Sequence, residues 1–133
     1  MHRPHDASPE PAHRWALTQL FDERGFRRVI VLEDDMELSP DFFHFFGAMA
    51  PRLDTDPSLW CVSSWNDNGQ TEFVSNATAV YRSDFFPGLG WMLAKHVWDE
   101  LRPIWTTGPA SIPGVFGGYW DDWYAVSPPC ADV

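Results

Sequence analysis

Lysine is nearly missing from this sequence: Lys95 stands alone, one of nine basic residues set against 19 acidic ones, and the formal net charge is -10 over 133 residues. A surface of that sign repels the phosphate backbone, which sets nucleic-acid binding aside. Cysteine is scarce as well. Cys61 and Cys130 permit one disulfide without arguing for it, because a buried thiol inside Leu59-Trp60-Cys61-Val62 is an equally ordinary fate. No apolar run approaches the length that spans a bilayer, and the opening MHRPHDASPEPAHRW lacks the apolar centre of a signal peptide. The chain as it stands therefore shows no route of its own to a membrane or a secretory compartment.

Aromatic residues are plentiful instead. Eight tryptophans and ten phenylalanines exceed what a small core needs. Flat aromatic faces suit the apolar faces of sugar rings as well as core packing, with the core the commoner fate. The length is that of one domain, enough to bury a core but short for an α/β enzyme with two substrates.

Residues 1–12, with three prolines in the first eleven positions, read as a disordered lead-in, and 13–133 as the folded part. From His13 to Glu23 the positions of Trp15, Ala16 and Leu20, with Phe21 beside it, have helical spacing, and Gly25 stands where a helix C-terminus would place it. Arg28 to Leu32 reads as a strand buried on both faces, of the kind found in parallel sheets. Ser39-Pro40-Asp41 offers an N-cap, a proline at the first helical position and an acid in the first turn. A helix from Pro40 to about Leu53 is predicted to bury Phe42, Phe45, Phe46, Met49 and Leu53. Asp54 to Pro57 ends it, and Ser58 to Trp65 reads as the next strand, so that strand, acidic loop, helix and strand compose a βαβ crossover. Ala94 to Leu101 is predicted helical up to Pro103.

The chemistry concentrates at the ends of these elements. Glu33, Asp34 and Asp35 directly follow the first strand, where α/β sheets meet their ligands. Three adjacent carboxylates repel one another, and a divalent cation, a basic partner or open solvent would each relieve them. The second strand also ends in a polar run, Asn66-Asp67-Asn68-Gly69, and two such ends on one sheet edge would share a crevice. Gly88 and Gly90 let backbone approach something closely or simply form a tight turn. Trp105 to Tyr119 reads as a long irregular loop that delivers Tyr119-Trp120-Asp121-Asp122-Trp123-Tyr124. A carboxylate among aromatics holds its proton more tightly and suits a base, although a helix start with two exposed acids explains the run nearly as well. Asn76-Ala77-Thr78 matches a glycosylation acceptor, a pattern short enough to arise by chance.

Five runs together resemble one family, the N-acetylglucosaminyltransferase I type of glycosyltransferase family 13. They are HRWALTQLF (His13 to Phe21), VLEDDMELSPDFF (Val31 to Phe43), DPSLWCVSSWNDNG (Asp56 to Gly69), YRSDFFPGLGW (Tyr81 to Trp91) and WDDW (Trp120 to Trp123), in the family's order. The related family that extends O-linked mannose shares PGLGW but differs in its acidic motif. The resemblance implies an α/β fold with a Rossmann-like nucleotide-sugar transferase core of the GT-A type, here a fragment of the catalytic domain incomplete at both ends. It implies inverting transfer of N-acetylglucosamine from UDP-GlcNAc to an α-mannose of a glycoprotein N-glycan in β-1,2 linkage, with manganese (Mn2+) as cofactor and the lumenal face of the Golgi membrane as location. By the same resemblance Asp35 looks like the metal ligand, and Glu33 and Asp34 like contacts to the donor sugar and ribose. Leu89 and Trp120 look like walls of the donor and acceptor pocket, and Asp121 like the catalytic base. A catalytically inactive sugar- or metal-binding fragment and the related O-mannose N-acetylglucosaminyltransferase are the alternative readings of the same residues.

Overall fold

A computed structural model of the chain describes residues 9–86 and 88–103. Their elements, in chain order, are α1 (Pro9–Thr18), β1 (Arg28–Val31), α2 (Phe42–Thr55), β2 (Cys61–Ser63), β3 (Trp91–Ala94) and α3 (Lys95–Leu101). The described residues are thus mixed α and β. They fall into two compact units, one of residues 9–29 and 95–103, the other of residues 30–86 and 88–94.

In the first unit α1 starts at Pro9, ahead of the predicted His13 and inside the predicted lead-in. Prolines suit that position, because the first four N–H groups of a helix have no internal partner to lose. A single π-helical turn, Gln19–Glu23, follows α1, with the Arg24 N–H donating to Gln19 O at 3.1 Å. Gly25 then adopts φ 69°, and the Phe26 N–H reaches back to Leu20 O at 3.1 Å. The predicted glycine stop is therefore where it was expected. Leu17 and Phe21 are buried, whereas Trp15 is 67% exposed. Phe21 stacks on Trp98 of α3 with ring centroids 6.1 Å apart. Val97, Trp98 and Leu101 give α3 its buried side.

One acid ties this unit together. Asp22 Oδ2 accepts from Trp98 Nε1 at 3.2 Å and from Arg102 Nη1 at 3.0 Å, while its Oδ1 meets Lys95 Nζ at 3.2 Å. Lys95 also pairs with Asp99, one turn along α3. Burial alone would push the Asp22 carboxyl up, but the hydrogen bonds from Trp98, Arg102 and Lys95 outweigh it and hold the group below the usual carboxylate range.

The second unit is built on α2 and the sheet, whose strand order is β1-β3-β2. The two strands that the predicted crossover joins, β1 and β2, are not neighbours in the sheet. β3 lies between β1 and β2, and it pairs with β2 antiparallel in the register Cys61 with Leu93, Val62 with Met92 and Ser63 with Trp91. The physical reason is burial. All four residues of β3 are buried, which suits a central strand, whereas β1 is half-buried throughout, not buried on both faces, and ends at Val31 with Leu32 40% exposed.

The core of this unit joins Phe42, Phe46, Ala50 and Leu53 of α2 to Val62, Met92 and Ala94 of the sheet, with Ile30, Leu38, Phe45, Met49 and Leu59 packed around them. The predicted stripe on α2 is therefore present, with Ala50 added to it and Phe45 and Met49 at its margin. The cap differs. Asp41, not Ser39, stands at the N-cap and makes no side-chain cap, while Ser39 O accepts the Phe42 N–H at 3.1 Å and Asp41 O that of Phe45 at 2.8 Å. α2 also runs through Pro51, which removes one ladder bond and which propensity alone would place at an end. Burial of Leu53, 0% exposed, holds the turn beyond the proline in place.

Candidate functional site

The acidic run leaves the sheet at Leu32. Asp34 and Asp35 form a turn, and Glu33, Asp34 and Asp35 are all exposed. The turn is anchored at both ends, by half-buried Ile30 and Val31 before it and by Met36 and Leu38 after it. An exposed tip between apolar anchors holds the carboxylates at a defined place while leaving them in water. None of the ion pairs among the described residues involves them.

The end of β2 meets the turn before β3 through backbone and hydroxyl contacts. Ser64 N and Ser64 Oγ both donate to Gly90 O, at 2.9 and 2.8 Å, and Ser63 Oγ donates to Leu89 O at 3.4 Å. Leu89 is half-buried in this turn. Gly90 itself is buried with φ 61°, and a methyl group there would stand 2.6 Å from Ser64 Oγ, 3.0 Å from Met36 Cε and 3.5 Å from Phe42 Cε2. Close approach and positive φ both require glycine at this position. Three segments that lie far apart in the chain, the acidic turn through Met36, the end of β2 through Ser64 and the glycine turn itself, therefore converge at one point.

The polar loop beyond β2 is held by its own side chains. Trp65 Nε1 donates to Asp67 Oδ1 at 2.9 Å, Asn68 N to Asn66 Oδ1 at 3.0 Å, and Gly69 N to Asn66 O at 2.9 Å. Trp65 keeps 48% of its surface in solvent. Behind the glycine turn, Phe86 packs edge-to-face between Trp60 and Trp91, with centroids 5.9 and 5.0 Å away. That aromatic trio fixes where the turn can sit. The loop is also stitched to the start of β2, since Arg82 donates to Asp56 Oδ2 at 3.2 Å and to Ser58 Oγ at 2.8 Å.

The sequence model of the GNT-I family matches residues 11–128. The chain belongs to the GNT-I family. A relative from Arabidopsis thaliana, named alpha-1,3-mannosyl-glycoprotein 2-beta-N-acetylglucosaminyltransferase, is 54% identical over 111 residues. The match takes in 84% of this chain and 23% of that relative, so the chain spans about a quarter of the relative's length.

For this GNT-I family member the structure places Met36, the residue after Asp35, against Gly90, with Glu33, Asp34 and Asp35 on the exposed turn before it. It assembles no group of three His, Cys, Asp or Glu side chains fit to hold a metal among the described residues. Trp120 and Asp121 lie outside the described residues, as does Cys130. Met36 and Ser64 were missed in the sequence. The signal available for Ser64 was a paired serine between an apolar strand and a polar loop. Nothing in the pattern marks Met36, whose role comes from folding back onto a glycine 54 positions away.

Proposed function

We propose that this GNT-I family chain carries the donor-binding part of an inverting N-acetylglucosaminyltransferase with a GT-A type, Rossmann-like core. It passes N-acetylglucosamine from UDP-GlcNAc to an α-mannose of an N-glycan in β-1,2 linkage, in the Golgi lumen. The observation that supports the reading is the convergence at Gly90, where Met36, next to the acidic turn, and Ser64 at the end of β2 lie against a glycine far from both in sequence. No helix among the described residues is long and apolar enough to cross a membrane.

The donor set fits a hard divalent cation of the manganese kind in one specific way. Its oxygen donors are exposed carboxylates, the ligand type that such hard ions prefer. When bound, such an ion supplies positive charge where the leaving diphosphate gains negative charge. Asp35 would hold it. Glu33 and Asp34 hydrogen-bond the sugar and ribose hydroxyls, and Leu89 and Trp120 wall the donor. Asp121 accepts the proton of the acceptor hydroxyl as that oxygen attacks the anomeric carbon from the face opposite the diphosphate; the bond to the diphosphate breaks and the configuration inverts.

Calorimetric titration of UDP-GlcNAc with and without Mn2+, on the chain and on its Asp35→Ala variant, tests this reading. Metal-dependent binding abolished by the substitution is the expected result. Binding that ignores the metal and survives the substitution would sink the donor-site assignment, and metal-independent capture of mannose glycans would favour a non-catalytic sugar-binding module.

A further inference from the structure

The loop between β2 and β3 carries one sequence motif that the donor site does not use. Asn76, Ala77 and Thr78 are all exposed. Thr78 donates twice to the Asn76 carboxamide oxygen, from its backbone N at 3.0 Å and from its Oγ1 at 2.8 Å, and the Ala79 N–H bonds Asn76 O at 3.2 Å. These bonds close a local turn with the threonine hydroxyl against the asparagine side chain. Two donors on the carboxamide oxygen draw electron density from the amide and make its N–H more acidic. None of the hydrogen bonds among the described residues engages Nδ2, and Asn76 is exposed.

We infer that Asn76 is an acceptor for N-linked glycosylation of this protein itself. The co-reactant is a lipid-pyrophosphate-linked oligosaccharide brought by the transferring enzyme. The Nδ2 nitrogen forms a bond to the anomeric carbon, the carbon–oxygen bond to the pyrophosphate breaks, the lipid pyrophosphate leaves, and one Nδ2 proton passes to the transferring enzyme. Sequence alone left this motif at the level of chance, because a three-residue pattern carries little information. Exposure, a local turn and a free nitrogen are what a folded acceptor needs and what a chance match on a strand or a buried helix lacks. The same loop exposes Phe73 (68%), Val80 (57%) and Tyr81 (67%), and a hydrated glycan between them would shield apolar surface that otherwise meets water.

The inference rests on the lumenal location proposed above, and the test separates the two. Asn76 is the only asparagine in an Asn-X-Ser/Thr context, so a single site is read. The protein isolated from its native source is treated with peptide-N-glycosidase in heavy-oxygen water and its Asn76 peptide analysed by mass spectrometry. In parallel the folded chain is incubated with a purified oligosaccharyltransferase and lipid-linked oligosaccharide. The expected result is one glycan in both arms, lost in Asn76→Gln and Thr78→Ala and kept in Thr78→Ser. Modification in the second arm only would uphold the acceptor site and overturn the location. Failure in both arms, with a control acceptor peptide modified, would overturn the inference.

Discussion

Replacing Gly90 by alanine tests the convergence on which the candidate site depends, and Gly25 supplies its own control. Both glycines have positive φ, 61° and 69°, so alanine at either position meets the left-handed penalty of about 1–2 kcal/mol. Both substitutions also restrict the unfolded chain, which returns about 0.4–1 kcal/mol. The surroundings differ: a methyl group on Gly25 meets nothing within 4 Å, whereas one on Gly90 stands 2.6 Å from Ser64 Oγ and 3.0 Å from Met36 Cε. To make room, Ser64 must give up its 2.8 Å hydrogen bond to Gly90 O, worth about 1 kcal/mol, and overpacking a buried position costs about 1–3 kcal/mol more. Gly25→Ala should therefore cost about 0–1.6 kcal/mol, and Gly90→Ala about 2–5.6 kcal/mol. Urea unfolding followed by tryptophan fluorescence reads the difference. With a slope of about 2 kcal/mol per molar, Gly90→Ala lowers the midpoint by about 1–2.8 M and Gly25→Ala by about 0.8 M or less. Ser64→Ala removes the closest atom, so the Ser64→Ala/Gly90→Ala double variant should recover about 1 kcal/mol relative to additivity. Equal shifts for the two glycines, with no coupling to Ser64, would refute the convergence and remove the main support for the donor site.

Three further outcomes follow from the same geometry. Asp22→Ala takes away the acceptor of the buried Trp98 indole N–H and should cost about 1–3 kcal/mol in urea unfolding. Because the folded-state Asp22 carboxyl titrates below its unfolded value, its contribution is complete above about pH 4 and is lost as pH falls through the lowered folded value; the Asp22→Asn variant should accordingly lose less stability than the parent on acidification, and an identical acid profile would count against the network. Leu93→Ala, at 0% exposure on the central strand, should cost about 2–5 kcal/mol by the same assay, and a cost under about 1 kcal/mol would show that β3 is not central. Pro51→Ala restores an N–H to the interior of α2 and should raise stability by about 2 kcal/mol, the difference between the helix penalty of proline and its restriction of the unfolded chain; a loss of stability would mean that α2 does not continue through this position.

The helices and the acidic turn were readable from local pattern. Phe42, Phe46 and Leu53 recur at helical spacing, Gly25 stops its helix where the chain demands positive φ, and the polarity change after Leu32 marks the end of β1. These features depend on residues within a few positions of one another, which sequence records directly. The central strand was not readable. Trp91-Met-Leu-Ala94 has no alternation, because both of its faces are buried, and four apolar residues before a helix look the same as the start of that helix. The covered side of the first helix was not readable for a related reason: spacing shows that a helix has an apolar side, but the π-helical turn at Gln19–Glu23 and the packing of Phe21 on Trp98 decide which side is covered. The identity of the candidate site residues likewise came from sequence, in Glu33 to Asp35 and the glycine turn. That Met36 and Ser64 close on Gly90 was decided by tertiary structure alone, since a contact between residues 26 and 54 positions apart is set by how β1, β2 and β3 order in the sheet, and strand order leaves no trace in local composition.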